Sequence, residues 1–456
     1  MLSLRDAFDS LSAARLVGDG AARVSDVCTD SRAIRPGCLF VALRGERFDA
    51  HEFAAQALAQ GAAAVLAERW MPGMRAPALL VPDTRVALGE LAAGWRRRFE
   101  MPVIAVTGSN GKTTVKEMVS AILAQRFGDA ARLATAGNLN NDVGVPLTVF
   151  RLRDSHQAAV FELGMNRPGE IAWLAAVARP TVALVNNAQR EHQEFMGTVE
   201  ATARENGAAI AALAADGVAV YPGDDAHTPI WRGLAGARRR VEFGLSEGCA
   251  VRAAPDAAPG GFEMAVGAAR ARVALAIDGA HSVRNALAAA ACAHAIGIDA
   301  DTIVQGLAQF RPVRGRLARL RGASGAAVID DSYNANPDSV RAAIDVLAAC
   351  ATPRVLVLGD MGEVGEHGAQ YHEEVGAYAA QRGVGHLLAL GDATRASVAA
   401  FGAGAEHFDD VAALEARAQA LAVADATVLV KGSRFMRMER VVAALVRPGE
   451  PAQGAH

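Results

Sequence analysis

With 456 residues, 52% of them apolar and 21% charged, the chain is long enough for roughly two to four domains of ordinary size. A formal net charge of −3 spread over both signs excludes a bulk nucleic-acid binder, and no apolar run is long and unbroken enough to span a bilayer. Five cysteines without CxxC spacing read as reduced core thiols, not as a disulfide framework or a zinc site.

The first residues carry Arg5, Asp6 and Asp9 where a signal peptide would have its apolar core, so a cytoplasmic protein is expected. Residues 1–83 read as one compact unit, with a helix over 51–60 and strands over 63–65 and 78–81. Pro82-Asp83-Thr84 punctuates the pattern, and a central unit is expected over 84–312.

That unit opens with the apolar run Val103-Ile104-Ala105-Val106, followed by Thr107-Gly108-Ser109-Asn110-Gly111-Lys112-Thr113-Thr114. Val115, Met118, Val119, Ile122, Leu123 and Phe127 then recur at helical spacing. A glycine loop between a strand and a helix is a phosphate cradle, because free amides and the positive end of the helix dipole converge on an anion. Lys112 would neutralise phosphate charge, and the hydroxyl of Thr113 or Thr114 would ligate Mg²⁺. Val106 stands where the longer form of this loop has its first glycine, so the loop is a shortened variant.

Further along, Asn138, Asn140 and Asn141 form an amide cluster that reads as a ligand contact or as turn chemistry. Strands are predicted over 158–163 and 181–186 and a helix over 199–215. Glu162, at the end of the first of these strands, is placed beside the phosphate crevice, where a carboxylate can hold Mg²⁺. Short extended runs at 240–243, 251–253, 262–266 and 272–277 predict antiparallel strands appended to a mostly parallel sheet. Helices over 281–296 and 300–309 close the unit, and the basic segment 310–316 reads as a hinge.

The third unit, 313–456, alternates strands at 326–330, 354–359, 386–390 and 427–430 with helical stretches. This is a Rossmann-like pattern without GxGxxG. Asp331 and Asn334 follow its first strand, where they suit a ribose or phosphate contact, or simply an N-cap and turn before Pro337.

Taken together these motifs resemble the Mur ligase family over essentially the whole chain. The resemblance is carried by the loop 107–114, by Asp331 to Asp338, by Leu358 to Glu363 with His372, and by Lys431-Gly432-Ser433-Arg434 with Met436 and Glu439. Thr29-Asp30-Ser31-Arg32, the run from Pro36 to Leu43 and His51-Glu52-Phe53 resemble the family's uridine-nucleotide domain.

The family likeness implies an α/β protein of three domains. A central phosphate-loop ATPase-like parallel sheet is flanked by an N-terminal α/β uridine-nucleotide domain and a C-terminal Rossmann-like domain. It implies ATP and Mg²⁺, and the motifs of the third unit select UDP-N-acetylmuramoyl-tripeptide and D-alanyl-D-alanine as substrates joined through an acyl phosphate. No nucleic acid and no membrane insertion are implied, and a monomer is expected.

By the same resemblance Lys112, Glu162, His192 and Arg316 are catalytic, with Thr113, Glu162 and His192 on the metal. Gly108, Ser109, Asn110, Gly111, Lys112, Thr113, Thr114, Asn285, Arg316, Asp331 and Asn334 bind the nucleotide. Ser31, Arg32, His51, Asn138, Asn140, Asn141, Lys431 and Arg434 bind the other substrates. Two positions depart from the pattern. Asn206, next to Glu205, stands where the family carries a lysine modified by CO₂, and Ser282 replaces the asparagine that usually follows the histidine at 281.

Other readings are a sister ligase, such as folylpolyglutamate synthase or the enzyme adding the third peptide residue, a phosphate-loop motor or switch, and an inactive binding protein. The third-residue enzyme would show Asp-Asn-Pro-Arg where this chain has Gly359-Asp360-Met361-Gly362, and neither a second ATPase signature nor a coiled coil supports the motor.

Overall fold

Short runs buried on both faces become parallel strands, because helices cover each side of the sheet. Val103–Thr107, Val182–Val185 and Val218–Pro222 are buried at every position and occupy the middle of the largest sheet. The computed structural model describes residues 1–46, 48–254 and 261–446 and holds three large sheets and a two-stranded ribbon.

The nine-stranded central sheet runs in the order Ala269–Val273, Phe262–Val266, Val251–Ala253, Arg239–Gly244, Val218–Pro222, Val182–Val185, Val103–Thr107, Ala158–Glu162, Arg132–Ala134. Only the two pairings among 251–253, 262–266 and 269–273 are antiparallel. The expectation of four antiparallel strands is therefore corrected. Arg239–Gly244 pairs parallel to Val218–Pro222, to which the helix Thr228–Ala235 connects it, and parallel to Val251–Ala253 after a short loop over 245–250. The last strand is Ala269–Val273, a tight hairpin partner of Phe262–Val266, and not 272–277.

After Val103–Thr107 the chain builds one side of the sheet with Arg132–Ala134 and Ala158–Glu162, then crosses to the other side at Val182–Val185. The loops leaving Thr107 and Val185 thus diverge at a topological switch point, where open α/β sheets bind ligands.

The N-terminal sheet has five strands, in the order Arg15–Val17, Ala78–Leu80, Ala64–Ala67, Cys38–Val41, Asp26–Cys28. The helix expected over 51–60 is a 3₁₀ turn, Ala50–Phe53, leading into Ala54–Ala59. Asp49 causes the tight entry by accepting the His51 amide. Helix Thr84–Arg96 ties this sheet to the central one. Leu88, Leu91 and Trp95 are buried in a core shared by both sheets, while Arg96 donates to the carbonyls of Ala178 and Arg179. Each large apolar side chain fully buried there contributes roughly 1.5–3 kcal/mol.

The third sheet has six strands, ordered Ala318–Arg321, Ala327–Asp331, Thr427–Lys431, Arg354–Gly359, His386–Leu390, Ala405–Phe408, all parallel except the first pair. Its carboxyl ends at Asp331, Lys431 and Gly359 face the phosphate loop across a cleft.

Candidate active site between the central and C-terminal domains

The cleft has a volume of about 1400 Å³, and the loop Ser109 to Thr114 forms its floor. Gly108 has φ +130° and Gly111 φ +81°, which is why both positions need glycine. Gly108 also passes so close to Asn186 that an added Cβ would sit 3.1 Å from its amide nitrogen. The loop is held from behind. Gly108 N–H donates to Asn206 Oδ1 at 2.9 Å, Ser109 N–H to the Asn187 carbonyl at 3.2 Å, and Asn110 N–H to Asn187 Oδ1 at 2.9 Å.

Gly111 caps helix Lys112–Phe127 without a side-chain acceptor, which leaves the amides of Lys112, Thr113 and Thr114 free for an anion. Lys112 Nζ donates to the carbonyls of Gly108 at 2.7 Å and Ser109 at 3.1 Å, and it pairs with Glu191 at 3.1 Å. The ammonium therefore sits curled over the loop with its charge balanced.

Glu162 meets the loop from the neighbouring strand. Its Oε1 accepts from Thr113 Oγ1 at 3.2 Å and from Asn140 Nδ2 at 2.8 Å. Its Oε2 is buried with no hydrogen-bond partner. An orphaned carboxylate oxygen beside a threonine hydroxyl at a phosphate site fits a hard divalent cation. Among the described residues no group of three His, Cys, Asp or Glu forms a metal cage. That suits Mg²⁺, which takes few protein ligands and completes its shell with water and phosphate.

His192 lies farther along the same wall, with Nδ1 2.6 Å from Glu363 Oε2 and Nε2 3.7 Å from Glu191 Oε1. The close approach of the His192 ring holds the Glu363 carboxyl below its ordinary value despite burial. Both His192 (φ +50°) and Glu363 (φ +59°) adopt the left-handed conformation that non-glycine residues avoid.

The C-terminal domain supplies the roof. Gly315 N–H donates to Asp330 Oδ2 and Leu317 N–H to Asp331 Oδ1, which clamps the hinge on each side of Arg316. Arg316 lies 4.1 Å over the Tyr333 ring and brings a guanidinium nitrogen within 3.5 Å of Thr113 Oγ1. It is thus aimed at the position of a terminal phosphate on the loop. Asn285 reaches the same floor from helix Ala280–Ala295, its Oδ1 accepting from Asn186 Nδ2 at 2.9 Å. Asn334 and Arg434 line the roof, and Arg434 is paired with Glu439 at 2.9 Å.

Several residues expected in the site take other roles. Lys431 lines the cleft but is largely buried, its Nζ engaged by Asp331 Oδ2 at 2.5 Å and the Asn334 carbonyl at 2.9 Å, so in this structure its charge braces the hinge. Asp331 likewise has both oxygens committed, to Lys431 and Leu317. His51 is fully enclosed, with Nδ1 on Asp49 and Nε2 accepting the Glu68 amide, so it is a core histidine. Ser31, Arg32 and Asn138 lie away from the cleft, with Arg32 paired to Asp30. Gly108 stands behind the cleft wall, its amide held by Asn206. Asn140 and Asn141 do line the cleft, although Asn141 also accepts the Gly144 amide at the start of a helix.

Glu205 accepts the amides of Gly169 and Ile171, which caps helix Glu170–Ala178 and takes the carboxylate away from the loop. Ser282 donates to the Asp278 carbonyl. Sequence reasoning missed Asn186, Asn187, Gln189 and Glu191. The signal for them was a polar run leaving a fully apolar strand that neighbours the phosphate-loop strand.

A phosphate loop facing an arginine on the C-terminal domain, with a carboxylate and threonine disposed to suit Mg²⁺, defines a three-domain nucleotide-dependent enzyme. Family models match along the chain: the catalytic domain of the Mur ligase family over residues 23–96, the Mur ligase middle domain over 106–293 and the Mur ligase, glutamate ligase domain over 315–434. The UDP-N-acetylmuramoyl-tripeptide--D-alanyl-D-alanine ligase of Escherichia coli K12 is 43% identical over 93% of this chain and 94% of its own length, and that of Haemophilus influenzae is 36% identical over 95% and 96%. MurF of Acinetobacter baumannii superposes with a TM-score of 0.88 at 34% identity, covering 97% of this chain and 98% of its own. The Thermotoga maritima MurF ligase, solved in complex with ADP, gives 0.83 at 28% identity, covering 93% and 97%. The chain belongs to the Mur ligase family.

Proposed function

We propose that this ligase adds D-alanyl-D-alanine to UDP-N-acetylmuramoyl-tripeptide, forming one C–N bond and releasing ADP and phosphate. The observation that carries the chemistry is the opposition of the Lys112 loop and Arg316 across one cleft. The likeness to relatives of that name over nearly the whole chain supports the substrates.

In the first half-reaction a carboxylate of the tripeptide attacks the γ-phosphorus of ATP, and the β–γ bond breaks. Two anions must meet, so the residues work by positioning and charge neutralisation. Lys112 and the amides of the helix N-terminus hold the β- and γ-phosphates, and Arg316 neutralises the transferred group as it leaves ADP. Thr113 and Glu162 would hold Mg²⁺, which screens the phosphate oxygens. In the second half the dipeptide amine attacks the carbonyl carbon of the acyl phosphate, the acyl C–O bond breaks as phosphate departs from the tetrahedral intermediate under Arg316, and the proton lost by the amine leaves with the phosphate or to solvent. Arg434, at the open end of the roof, is suited to the dipeptide carboxylate.

The test supplies ATP, Mg²⁺ and UDP-N-acetylmuramoyl-tripeptide with D-alanyl-D-alanine, single amino acids, or glutamate with folate, and follows phosphate and product mass. Phosphate matched by a pentapeptide mass only with the dipeptide is expected. ATP turnover without adduct, or ligation of another acceptor, would overturn the assignment.

A further inference from the structure

Residues 189–192 leave the strand beside the phosphate loop and touch two domains in turn. Gln189 accepts from Asn110 Nδ2 at 2.6 Å and its amide donates to Ser109 Oγ at 2.9 Å. Glu191 receives Lys112, and His192 meets Glu363. Arg190 turns outward, into the helices of the C-terminal domain. Its backbone amide donates to Asp338 Oδ2 at 2.8 Å. Its guanidinium bonds Asp338 Oδ1 at 2.6 Å and Glu374 Oε2 at 2.6 Å, and it lies 5.0 Å from the Tyr371 ring. Arg341 braces Glu374 from the far side at 2.9 Å.

The two carboxylates come from separate helices, Pro337–Ala348 and Gly368–Gln381, so one arginine fixes the placement of both. Parallel fastenings nearby are a paired amide, Asn336 Nδ2 to Asn110 Oδ1 at 2.9 Å, and the single contact of His192 Nδ1 with Glu363 Oε2 at 2.6 Å, neither of which joins two helices of the C-terminal domain at once. Burial works against the Arg190 charge, but the hydrogen bonds to Glu374 and Asp338 outweigh it and hold the guanidinium above its ordinary value.

We infer that Arg190 is a positioning residue for the ligation: it clasps the C-terminal domain to the segment that presents Glu191 to Lys112, so that domain closure and the geometry of the phosphate loop are set together. When the C-terminal domain swings away, Arg190 loses both carboxylates and residues 189–192 lose their outer anchor. Lys112 is then no longer held by a fixed Glu191. Closure in turn brings Arg316 to Thr113 while Lys112 is held, which assembles both sides of the phosphate site in one movement.

The inference rests on the proposed ligation, and the experiment separates the two. Arg190→Ala, Arg190→Lys, Asp338→Asn and the double variant Arg190→Ala/Asp338→Asn are compared for kcat, for KM of the tripeptide substrate, and for small-angle scattering with Mg²⁺ and a non-hydrolysable ATP analogue. Arg190→Ala should lower kcat about tenfold to a hundredfold, in keeping with close charge pairs at interfaces, while the tripeptide KM stays within about threefold. Arg190→Lys should recover only part, since an ammonium cannot fork onto two carboxylates. The double variant should lose no more than Arg190→Ala alone. The analogue should compact the wild type and leave Arg190→Ala extended. Additive losses, a near wild-type kcat, or equal compaction would overturn the clasp. A wild type that ligates no dipeptide would sink the proposed function, and the scattering comparison would still decide the clasp. If Arg190→Ala does not fold, Glu374→Gln tests the same contact from the other side.

Discussion

Replacing Glu162 by Gln should make the protein more stable without metal and less stable with Mg²⁺ and nucleotide. Glu162 Oε1 is satisfied by Thr113 and Asn140, whereas Oε2 is buried and unpaired. Gln preserves the shape and the accepting carbonyl and puts a neutral amide group in place of the isolated anionic oxygen, so what it removes is the buried charge. An unsatisfied buried polar group costs about 1–3 kcal/mol, and more when charged. At about 2–4 °C per kcal/mol for a domain of this size, the variant should melt roughly 2–12 °C higher in a chelator.

Saturating Mg²⁺ and a non-hydrolysable ATP analogue, at about a hundred times its Kd, should stabilise the wild type by about 2.7 kcal/mol. The variant, lacking the metal's protein carboxylate, should keep less than half of that shift. Its phosphate release should fall at least about 100-fold. Thermal melting with chelator and with Mg²⁺ and analogue reads both effects on the same sample. A variant that melts lower in the chelator, or keeps the full ligand shift, would refute the assignment of Glu162 as the metal seat.

Lys112→Ala should abolish turnover while the protein stays folded, since Lys112 makes only loop and Glu191 contacts; retained phosphate release would remove the loop from the mechanism. Asn206→Leu strands the Gly108 amide in a buried site, so nucleotide affinity measured by titration calorimetry should fall by about fivefold to a hundredfold. Hydrogen bonds from Arg190 hold the Glu374 carboxyl below its ordinary value. The stability this contributes is complete above about pH 4.3 and is lost as pH falls through the lower folded value. Scattering from about pH 6 down to about pH 3 should therefore show the C-terminal domain releasing at the acid end in the wild type and at higher pH in Arg190→Lys.

Local chemistry made the meeting of the loop Thr107 to Thr114, Glu162 and Arg316 at one cleft legible, because glycine spacing, a strand-end carboxylate and a basic hinge are each signalled within a few consecutive residues. The parallel course of Arg239–Gly244 was not legible, since its short alternating pattern fits either direction and the direction is set by the connecting helix. His51 and Lys431 were each found with a protein partner, for one common reason. A polar residue type announces that it needs a partner, but the sequence does not say whether that partner is a ligand or a neighbour such as Asp49 or Asp331. Asn206 shows the converse. As a departure from a pattern it suggested a lost site, yet in the fold its carbonyl oxygen secures the first glycine of the loop.

The outer strands of the three large sheets share a property that bears on how the chain behaves in a crowded solution. Each of the six is five residues or fewer, and each carries a charge: Arg15, Asp26, Arg132, Arg270 with Arg272, Arg319 with Arg321, and Glu406. An open sheet exposes a row of unpaired amides and carbonyls that invites another strand, and one chain with three such sheets offers that invitation six times. Brevity and charge make every one of these borders a poor template for strand addition. Three half-open sheets can therefore fold side by side on a single polypeptide, with little tendency to exchange strands with one another or to propagate into fibres.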